Sequence, residues 1–465
     1  MSAPLPETTP PLEPGFSPAA RWHRHFRDLV ARDPGARPFI LTLLRPDGTT
    51  FRHDSHVFAA SHPEAARNFR YAERLLKFLL WQKGASHVLV AGADEIGTYL
   101  ASLYRPGGER AFDHEFMGTK VYGAMFMIEN IRPDSVPNSR ESGLTLGRHL
   151  DGCRIGFDLG GSDRKVAAVI DGQVVFSEET RWDPYFQTDP AYHLAGIQQS
   201  LERAAAHLPR VDAIGGSAAG VYVNNEVRVA SLFRGVPSDR FDRNVRRIFY
   251  QLRERWGGVP FEVANDGEVT ALAGSMALGD NGVLGVSMGT SQAGGYVGPS
   301  GEITSWLNEL AFAPIDYAPD APCDEWSGDI GCGVQYFSQQ GVARFASRAG
   351  FTFPAEVAAP ERLVGVQEAM LRGDLRARKI FATIGQCFGH ALAHYADFYE
   401  LRHVLVLGRV TSGEGGAVIL DEARAILRSE YPPLGDHLVL GMPDEQDKRH
   451  GQAIAAASLP ALAAR

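Results

Sequence analysis

The sequence predicts an α/β protein built from two similar lobes with a cleft between them, preceded by a smaller α/β module. A strand, a glycine-containing turn and a second strand occur twice, first in "IGFDLGGSDRKVAAVID" and later in "GVLGVSMGTSQAGGYVG". Each hairpin is followed by alternating strand-like and helix-like segments, the pattern of a sheet covered by helices. Two hairpins of one kind, each opening an α/β segment, indicate two lobes of similar design.

Composition and charge exclude several classes of protein. The 465-residue chain is 44% hydrophobic and 22% charged, which is typical of a folded globular protein that is too long for one core. Its formal net charge of −9 disfavours broad nucleic-acid binding, which needs a basic surface. The four dispersed cysteines and the lack of an apolar signal core or a membrane-length segment favour a reduced compartment. We therefore expect a cytoplasmic protein with no nucleic-acid or membrane partner.

The chain is predicted to divide into four parts. Residues 1–35 are expected to form a mostly disordered leader, because their first stretch is rich in proline and threonine. Residues 36–150 are predicted to form the α/β accessory module and a linker. The two lobes are predicted over residues 151–279 and 280–465, and the last helix can return to the first lobe.

Three segments predict the accessory module. "PFILTLLRPDGTTFRHDSHVF" has two strand-like runs around Pro46-Asp47-Gly48, which is a hairpin signal. Apolar residues at helical spacing in "FRYAERLLKFLL" indicate a helix, and "HVLVAGADEIGTYL" has the pattern of a buried strand, a turn and a helix. The sequence does not decide whether this module covers the cleft or mediates dimer contacts.

The turn of the first hairpin contains residues suited to phosphate binding. Gly160 and Gly161 allow the backbone to approach an anion closely, while Ser162 and Lys165 add a donor and a positive charge. Asp158 at the end of the strand can hold Mg²⁺ through water, since that ion keeps much of its hydration. The alternative is an ordinary hairpin with a capping aspartate.

The turn of the second hairpin repeats this composition. Gly289 is followed by two hydroxyl residues, Thr290 and Ser291. By itself this segment could also be an ordinary turn. The presence of both turns in one chain, each between apolar strands, favours two turns that bind one phosphate chain from opposite sides.

The segment "VANDGEVTALAG" places an acid where a strand meets a helix. In the functional interpretation Asp266 is a general base and Asn265 orients the substrate hydroxyl. Phosphoryl transfer fits this interpretation, since it needs positioning, charge neutralisation and a carboxylate that accepts the hydroxyl proton. The alternative is that Asp266 is the N-cap of the helix.

A glycine-rich turn follows a late buried strand in "HVLVLGRVTSGEGG". Gly408 and the glycines after it could pass beneath an adenosine. A strand–loop–helix connection without a ligand fits the same pattern, and the spacing does not separate the two.

These four segments, taken in their order along the chain, resemble the ROK family (repressor, open reading frame, kinase) of the actin, Hsp70 and hexokinase-like ATPase superfamily. The resemblance runs from Arg154 to the C-terminus. "IGFDLGGSDRK" and "VSMGTSQAGG" are similar to the two phosphate motifs, the second of which usually contains G-T-G. "AND", ending at Asp266, is similar to the E-N-D motif with the catalytic base, and "HVLVLG" to the adenosine motif. The resemblance implies a two-lobed actin-like ATPase (ribonuclease H-like) fold.

The resemblance is weaker at the sugar and zinc sites. "GGSAAGVYVNN" is similar to the sugar-side loop and places Gly220 there, although the proline that usually precedes this glycine is missing. Glu309 keeps the glutamate of the sugar motif G-E-x-x-G-H, whereas Phe312 replaces its histidine. One cysteine of the zinc motif remains, Cys332, and Val334 replaces the glutamate that closes the motif, which is a second sugar contact in the family. Because these ligand residues of the family motif are replaced, we predict no structural zinc.

The function implied by the resemblance is ATP-dependent phosphotransfer to a hydroxyl of a sugar or sugar-like polyol. ATP and Mg²⁺ would be the cofactors, Asp266 the base, and a homodimer is possible. The alternative is a ligand-sensing or regulatory protein of the same fold, because two sugar contacts are replaced. A DNA-binding repressor is disfavoured by the net charge.

Overall fold

The computed structural model describes residues 8–141, 146–443 and 451–462. The chain forms two compact units, and each is assembled from separate parts of the sequence. The N-terminal unit contains Met1–Ser142, Val286–Gly294 and Trp306–Gly441, and the central unit contains Gly143–Gly285, Gly295–Ser305 and Met442–Arg465. Among the described residues, no helix has the length and apolarity that crossing a lipid bilayer requires.

The front of the chain is an α/β module within the N-terminal unit. Its elements are α1 (Ala19–Ala31), β1 (Arg37–Leu44), β2 (Thr50–Val57), α2 (Ala66–Lys83), β3 (His87–Ala91), α3 (Asp94–Leu103), α4 (Ala111–Glu115) and β4 (Met127–Ile131). The strands form one sheet in the order β2-β1-β3-β4, with β1 antiparallel to β2 and β3, and β3 parallel to β4. The predicted hairpin, helix and strand–turn–helix are all present, so the α/β character of the module is confirmed.

The structure differs from the expected leader at α1. Residues 1–7 lie outside the described residues, but Ala19–Ala31 is helical and buries Ala20, Phe26 and Val30. The Phe26 ring stacks on Tyr71 of α2 with ring centroids 4.3 Å apart. The proline-rich composition applies to the residues before α1, whereas apolar side chains at helical spacing within α1 supply a buried face.

The central unit begins with the first glycine hairpin. Its elements are β5 (Cys153–Leu159), β6 (Asp163–Ile170), β7 (Gln173–Arg181), α5 (Pro190–Ala205), β8 (Ala213–Ala218), β9 (Val221–Val223), β10 (Glu226–Val229), α6 (Ser238–Arg240), α7 (Ile248–Arg255), β11 (Phe261–Asn265) and α8 (Asp266–Leu278). The main sheet has the order β11-β8-β5-β6-β7. Strands β5, β6 and β7 form an antiparallel meander, and β8 and β11 run parallel to β5. The candidate site residues of this unit lie near the carboxyl ends of the parallel strands.

The second glycine hairpin leads into a helical region and a further sheet. The elements are β12 (Val283–Met288), β13 (Gln292–Val297), α9 (Gln339–Arg348), α10 (Ala359–Leu371), α11 (Leu375–Tyr395), β14 (His403–Leu407), α12 (Glu414–Glu430), α13 (Pro432–Gly435), β15 (Val439–Gly441) and α14 (Gln452–Ala457). The sheet order is β13-β12-β14-β15, and β14 is parallel to β15. The boundary between the two units falls within β12 and within β13.

Both faces of the central sheet are covered. Ile155 and Phe157 of β5 belong to the core cluster that also contains Ile197 of α5. On the opposite face, Ala167 of β6 packs with Ala453 of the C-terminal helix α14. Strand β5 is buried along its whole length, as expected for a central strand covered on both faces.

Candidate functional site

Asp158 and Ser217 are hydrogen-bonded neighbours in the central unit. They pair across the parallel strands β5 and β8, close to the carboxyl end of each strand. The Ser217 Oγ donates to Asp158 Oδ1 over 2.6 Å, and Asp158 is 8% exposed. Burial raises the pKa of Asp158, while the hydrogen bond from Ser217 and the charge of Lys165 act against this rise. The carboxylate is therefore held in one orientation by a residue that the motif analysis did not identify.

Asn265 is the N-cap of α8, which corrects the alternative that assigned this cap to Asp266. The Asn265 Oδ1 accepts from the Gly267 backbone N–H over 2.8 Å, and its Nδ2 donates to the Gly220 carbonyl over 2.7 Å. Gly220 has φ +132°, and a Cβ there would lie 2.5 Å from the Val229 carbonyl oxygen. Only glycine fits this position without strain, so Asn265 ties the predicted sugar-side loop to the start of α8.

Asp266 has the electrostatic environment of a candidate base. Burial, followed by the charge of Asp158, raises its pKa to about 6. Tyr222 lies near the same carboxyl: burial and then the charge of Asp266 raise the pKa of its phenol. Asp158 and Asp266 are thus close enough for one negative charge to disfavour the other. A hydrated divalent cation would relieve this repulsion, so the two carboxylates fit Mg²⁺.

The first glycine turn is held by contacts with its surroundings. The Gly160 carbonyl accepts from Trp182 Nε1 over 2.8 Å, and a Cβ at Gly161 would lie 1.9 Å from the Tyr185 hydroxyl oxygen. The packing of Tyr185 against this position therefore favours a glycine there, whether or not a ligand binds. Ser162 donates to Asp163 Oδ2 over 3.0 Å within the turn.

Lys165 supplies the positive charge that was predicted beside this turn. Its side chain is 43% exposed, and its Nζ lies 3.9 Å from Asp163 Oδ1. This contact leaves the ammonium group largely in solvent, so its charge remains available to an anion at moderate cost. The structure thus brings Asp158, Asn265, Asp266 and Gly220 together in the central unit, with the first turn after Asp158.

The second glycine turn and Gly408 are adjacent in the N-terminal unit. The Gly289 N–H donates to the Ser291 carbonyl over 2.9 Å, so the turn that includes Thr290 is closed by its own backbone. Gly408 has φ +103°, and a Cβ there would lie 2.5 Å from the carbonyl oxygen of Met288, the residue before Gly289. The predicted phosphate turn and adenosine turn therefore meet at the end of β12.

A cavity of about 210 Å³ lies beside the start of α12. Its lining combines apolar side chains with the backbone of the glycine-rich turn: Gln367, Met370, Leu371, Phe381, Ser412, Gly413, Glu414 and Gly415. A Cβ at Gly415 would lie 2.7 Å from the Phe381 ring, so glycine allows this close contact. Arg409 stands where the adenosine motif of the resembled family has its second glycine, and it is exposed and is not among the lining residues. Apolar side chains with a few polar groups are the usual lining of a small-molecule site.

Glu309 lies in a loop that the accessory module holds. Its backbone N–H donates to the Trp81 carbonyl over 2.9 Å, and the N–H of Asn308 donates to the Gln82 carbonyl over 2.9 Å. Phe312 packs on the Trp81 ring with centroids 4.4 Å apart. The residue at the family's histidine position is therefore part of an aromatic cluster.

The residues at the family's zinc position do not fit a zinc site. Cys332 is buried in an apolar cluster with Ala311 and Val334, and burial raises the pKa of its thiol to about 12. Cys323 is exposed, and Phe312 offers no ligand atom.

The fold is that of an actin-like ATPase of the ribonuclease H-like type. The chain is similar to the solved structure of a ROK hexokinase from Thermus thermophilus, with a TM-score of 0.53, 20% identity, and coverage of 66% of this chain and 97% of that one. A ROK glucokinase from Streptomyces griseus, solved with glucose and AMPPNP, gives a TM-score of 0.50 at 21% identity, covering 66% of this chain and 99% of that one.

A third similar structure is a ROK transcriptional regulator described as a homologue of the Escherichia coli MLC protein. Its TM-score is 0.53 at 17% identity, with coverage of 69% of this chain and 80% of that one. No protein-family model matches the chain, and the search of the curated proteins found no match. The structural similarity confirms the ROK kinase-type fold that the sequence motifs predicted.

Sequence reasoning missed Ser217 and Tyr222, although both lie in or beside the segment "GGSAAGVYVNN". A signal for Ser217 was present: Asp158 and Ser217 each lie one residue before the end of a buried strand, and parallel pairing of the two strands places these side chains together. That pairing could not be assigned before the strand order was known.

Proposed function

We propose that this protein is an ATP-dependent phosphotransferase that acts on a hydroxyl of a sugar or sugar-like polyol. The observation that carries the proposal is the environment of Asp266: it starts α8, lies near Asp158, and has a pKa raised to about 6. A carboxylate with this pKa is charged at neutral pH and still a good proton acceptor.

In the central unit, Asp266 would accept the proton of the acceptor hydroxyl as the phosphoryl group is transferred. One Asn265 Nδ2 proton is used on the Gly220 carbonyl, and the other is available to orient the acceptor. Asp158, oriented by Ser217, would hold the hydrated Mg²⁺, which supplies neutralisation of the phosphate charge. The glycine turn with Ser162 and Lys165 would bind phosphate oxygens.

In the N-terminal unit, the cavity beside α12 would bind adenosine against Phe381 and Leu371, with Gly408 at the adjoining turn. In the turn that Gly289 opens, the backbone N–H groups and hydroxyls of Thr290 and Ser291 would bind the phosphate chain. Glu309 would bind a hydroxyl of the acceptor. ATP use is supported by the solved AMPPNP complex of the similar glucokinase.

A second candidate is a ligand sensor of the same fold that turns over slowly. The observation in its favour is Phe312, whose ring is packed on Trp81 where the family has a sugar-contacting histidine. The similar structure that is a transcriptional regulator supports a regulatory use of this fold. The raised pKa of Asp266 favours the kinase, because a sensor does not need a base.

Mg²⁺–ATP turnover against hexoses, N-acetylhexosamines and polyols tests the proposal, with Asp266→Asn as the matched variant. Acceptor-dependent ADP release that is lost in the variant is the expected result. If no acceptor increases ADP release while one of them raises the thermal midpoint of the protein, the ligand sensor replaces the kinase.

A further inference from the structure

Six charged side chains form a buried cluster in the N-terminal unit, called here the charge cluster. It contains Glu73, Arg74, Lys77, Arg110, Asp113 and Asp329, and none of these side chains is more than 7% exposed. The first five belong to the accessory module. Asp329 lies three residues before Cys332, in the segment that resembles the family's zinc motif. Three cations face three anions, so the cluster is electrically balanced.

Asp329 is the centre of this cluster. One of its oxygens lies 3.0 Å from Lys77 Nζ and 3.1 Å from Arg74, and the other lies 2.7 Å from Arg110. Burial raises the pKa of Asp329, but the three cations outweigh burial and hold this pKa below its usual range. Its charge is therefore fully paired with residues of the accessory module.

The other two anions complete the pairing on the accessory module. Glu73 Oε1 lies 2.7 Å from Arg110 Nε, and Asp113 Oδ1 lies 3.2 Å from Lys77 Nζ. Asp113 also accepts a 2.6 Å hydrogen bond from Trp81 Nε1. The cluster thus fixes α2 along its length, up to the last turn of the helix.

The last turn of α2 meets residues 308–314, called here the acceptor loop. The Trp81 and Gln82 carbonyls accept from the N–H groups of Glu309 and Asn308. The last carbonyls of a helix have no intrahelical partners. Because α2 ends at this point, its last carbonyls are free of helix hydrogen bonds and can accept from the loop. Asn308 has φ +51°, a left-handed conformation that is uncommon outside glycine and asparagine. The two hydrogen bonds hold the loop in this shape.

The segment that carries Asp329 contacts the acceptor loop from its other side. The Gly333 N–H donates to the Ala313 carbonyl over 3.0 Å, and Pro314 forms a β-bridge with Cys332. Ala311 and Phe312 pack with Cys332 in one apolar cluster. The charge cluster therefore joins the two elements between which the acceptor loop lies.

Stability alone does not account for this arrangement. Buried ion pairs cost much of their Coulomb energy in desolvation, and well-packed apolar residues would stabilise the same contact equally well or better. Buried charges with fixed hydrogen-bond partners instead define one register between the elements that they join.

We propose that the accessory module is a positioning element of the acceptor site, in which the charge cluster fastens α2 to the Asp329 segment so that α2 fixes Glu309. Ion pairs would thereby hold a loop beside the position where the family uses a metal. This inference rests on the proposed function, because it takes Glu309 as an acceptor contact. Trp81 and Lys77 are positioning residues, since they act through the loop.

The first test is amide hydrogen exchange of the ligand-free full chain, compared between wild type and Lys77→Met. The variant keeps the length of the side chain but leaves Asp113 and Asp329 one cation short. We expect exchange in residues 308–313 of the acceptor loop to accelerate about tenfold, while α11 (Leu375–Tyr395) and β5 (Cys153–Leu159) keep their wild-type rates. Arg67→Met is the matched control, because Arg67 lies on the same helix and the ion pair that it forms with Glu64 is exposed.

Either of two exchange results would overturn the proposal. One is an unchanged rate in residues 308–313 of the acceptor loop, and the other is equal acceleration in α11, which would indicate general loosening of the unit. If Lys77→Met does not fold, Trp81→Phe replaces it, because this variant keeps the ring on Phe312 and loses only the N–H donated to Asp113. The same two criteria then apply.

The second test compares the effect of Lys77→Met on the KM of the acceptor with its effect on the KM of ATP. With the best acceptor found, Lys77→Met should raise the KM of the acceptor about tenfold and leave the KM of ATP within about twofold. A merely structural role would lower kcat through loss of folded enzyme and leave both constants unchanged. If the wild type shows no acceptor-dependent turnover, the proposed function fails, and the exchange experiment still decides whether α2 positions the loop.

Discussion

Ser217 Oγ and Asp158 Oδ1 lie 2.6 Å apart, across the parallel strands β8 and β5 and near the carboxyl end of each strand. Ser217 donates the hydrogen bond, and this bond lowers the pKa of Asp158 against the effect of burial. The serine therefore helps to keep Asp158 charged and oriented, as a ligand for hydrated Mg²⁺ requires.

Ser217→Ala should weaken the metal requirement of the site without removing the base. A hydrogen bond to a charged group contributes about 1.5–3 kcal/mol, so the Mg²⁺ concentration for half-maximal turnover should rise roughly tenfold to a hundredfold. A Mg²⁺ titration at fixed ATP measures this change. Ser177→Ala on the exposed strand β7 is the control. An Mg²⁺ dependence that matches the wild type would exclude a role of Ser217 in holding Asp158.

Asp266→Asn should lose turnover and gain stability. The loss of a general base lowers the rate by about 10²–10⁴-fold. The folded-state pKa of about 6 lies above the ordinary 3.8, so the folded protein binds this proton more tightly than the unfolded chain does. The stabilising contribution is present at low pH and lost as the pH rises through 6, and a neutral asparagine avoids that loss.

Thermal unfolding at neutral and acidic pH measures this stability effect. At neutral pH the midpoint of the variant should exceed that of the wild type by about 2–4 °C, and the difference should shrink towards about pH 4. The opposite sign at neutral pH would mean that Asp266 carries a stabilising charge in the folded protein and is no candidate base.

The pH dependence of the wild type should report the same group. We expect kcat/KM to fall on the acid side with an apparent pKa of about 6, because protonated Asp266 cannot accept the hydroxyl proton. Since Asp158 is coupled to Asp266, this value belongs to the pair. A profile that stays flat from neutral pH down to about pH 5 would contradict the assignment of the base.

Leu371→Ser should weaken ATP binding without affecting the acceptor. Leu371 is 74% exposed and lines the cavity beside α12. The loss of apolar contact with adenine should raise the KM of ATP about fivefold to tenfold. Leu375→Ser is the matched control, because Leu375 is 79% exposed and is not among the lining residues. Equal effects of the two substitutions would remove the adenosine assignment.

Gly408→Ala should destabilise the N-terminal unit. Its φ of +103° is strained for alanine, and the added Cβ would lie 2.5 Å from the Met288 carbonyl oxygen. We expect the free energy of unfolding to fall by about 1–3 kcal/mol, measured by denaturant unfolding. Gly373→Ala is the control, since it has φ +77° with open space around its Cβ. If Gly408→Ala lowers the free energy of unfolding more than Gly373→Ala does, the difference measures the cost of placing a Cβ against β12.

Local sequence patterns predicted most of the elements that carry the site. The two glycine hairpins, the start of α8 at Asp266 and the strand before Gly408 were all predicted, because period-two and helical patterns and turn glycines act over a few residues. The same local patterning predicted the accessory module as α/β. The helix at Ala19–Ala31 was assigned to a leader, because the composition of the residues before it was extended too far.

The sequence by itself determined the order of the motifs, the turns that only glycine can form and the acid at the start of α8. The tertiary structure decided which distant residues share a contact. Arg74 and Asp329 are 255 positions apart and form a buried pair, and Ser217 reaches Asp158 only because β8 lies beside β5. Such pairs leave no local pattern, since burial and pairing of charges depend on chain segments that meet only when the protein folds.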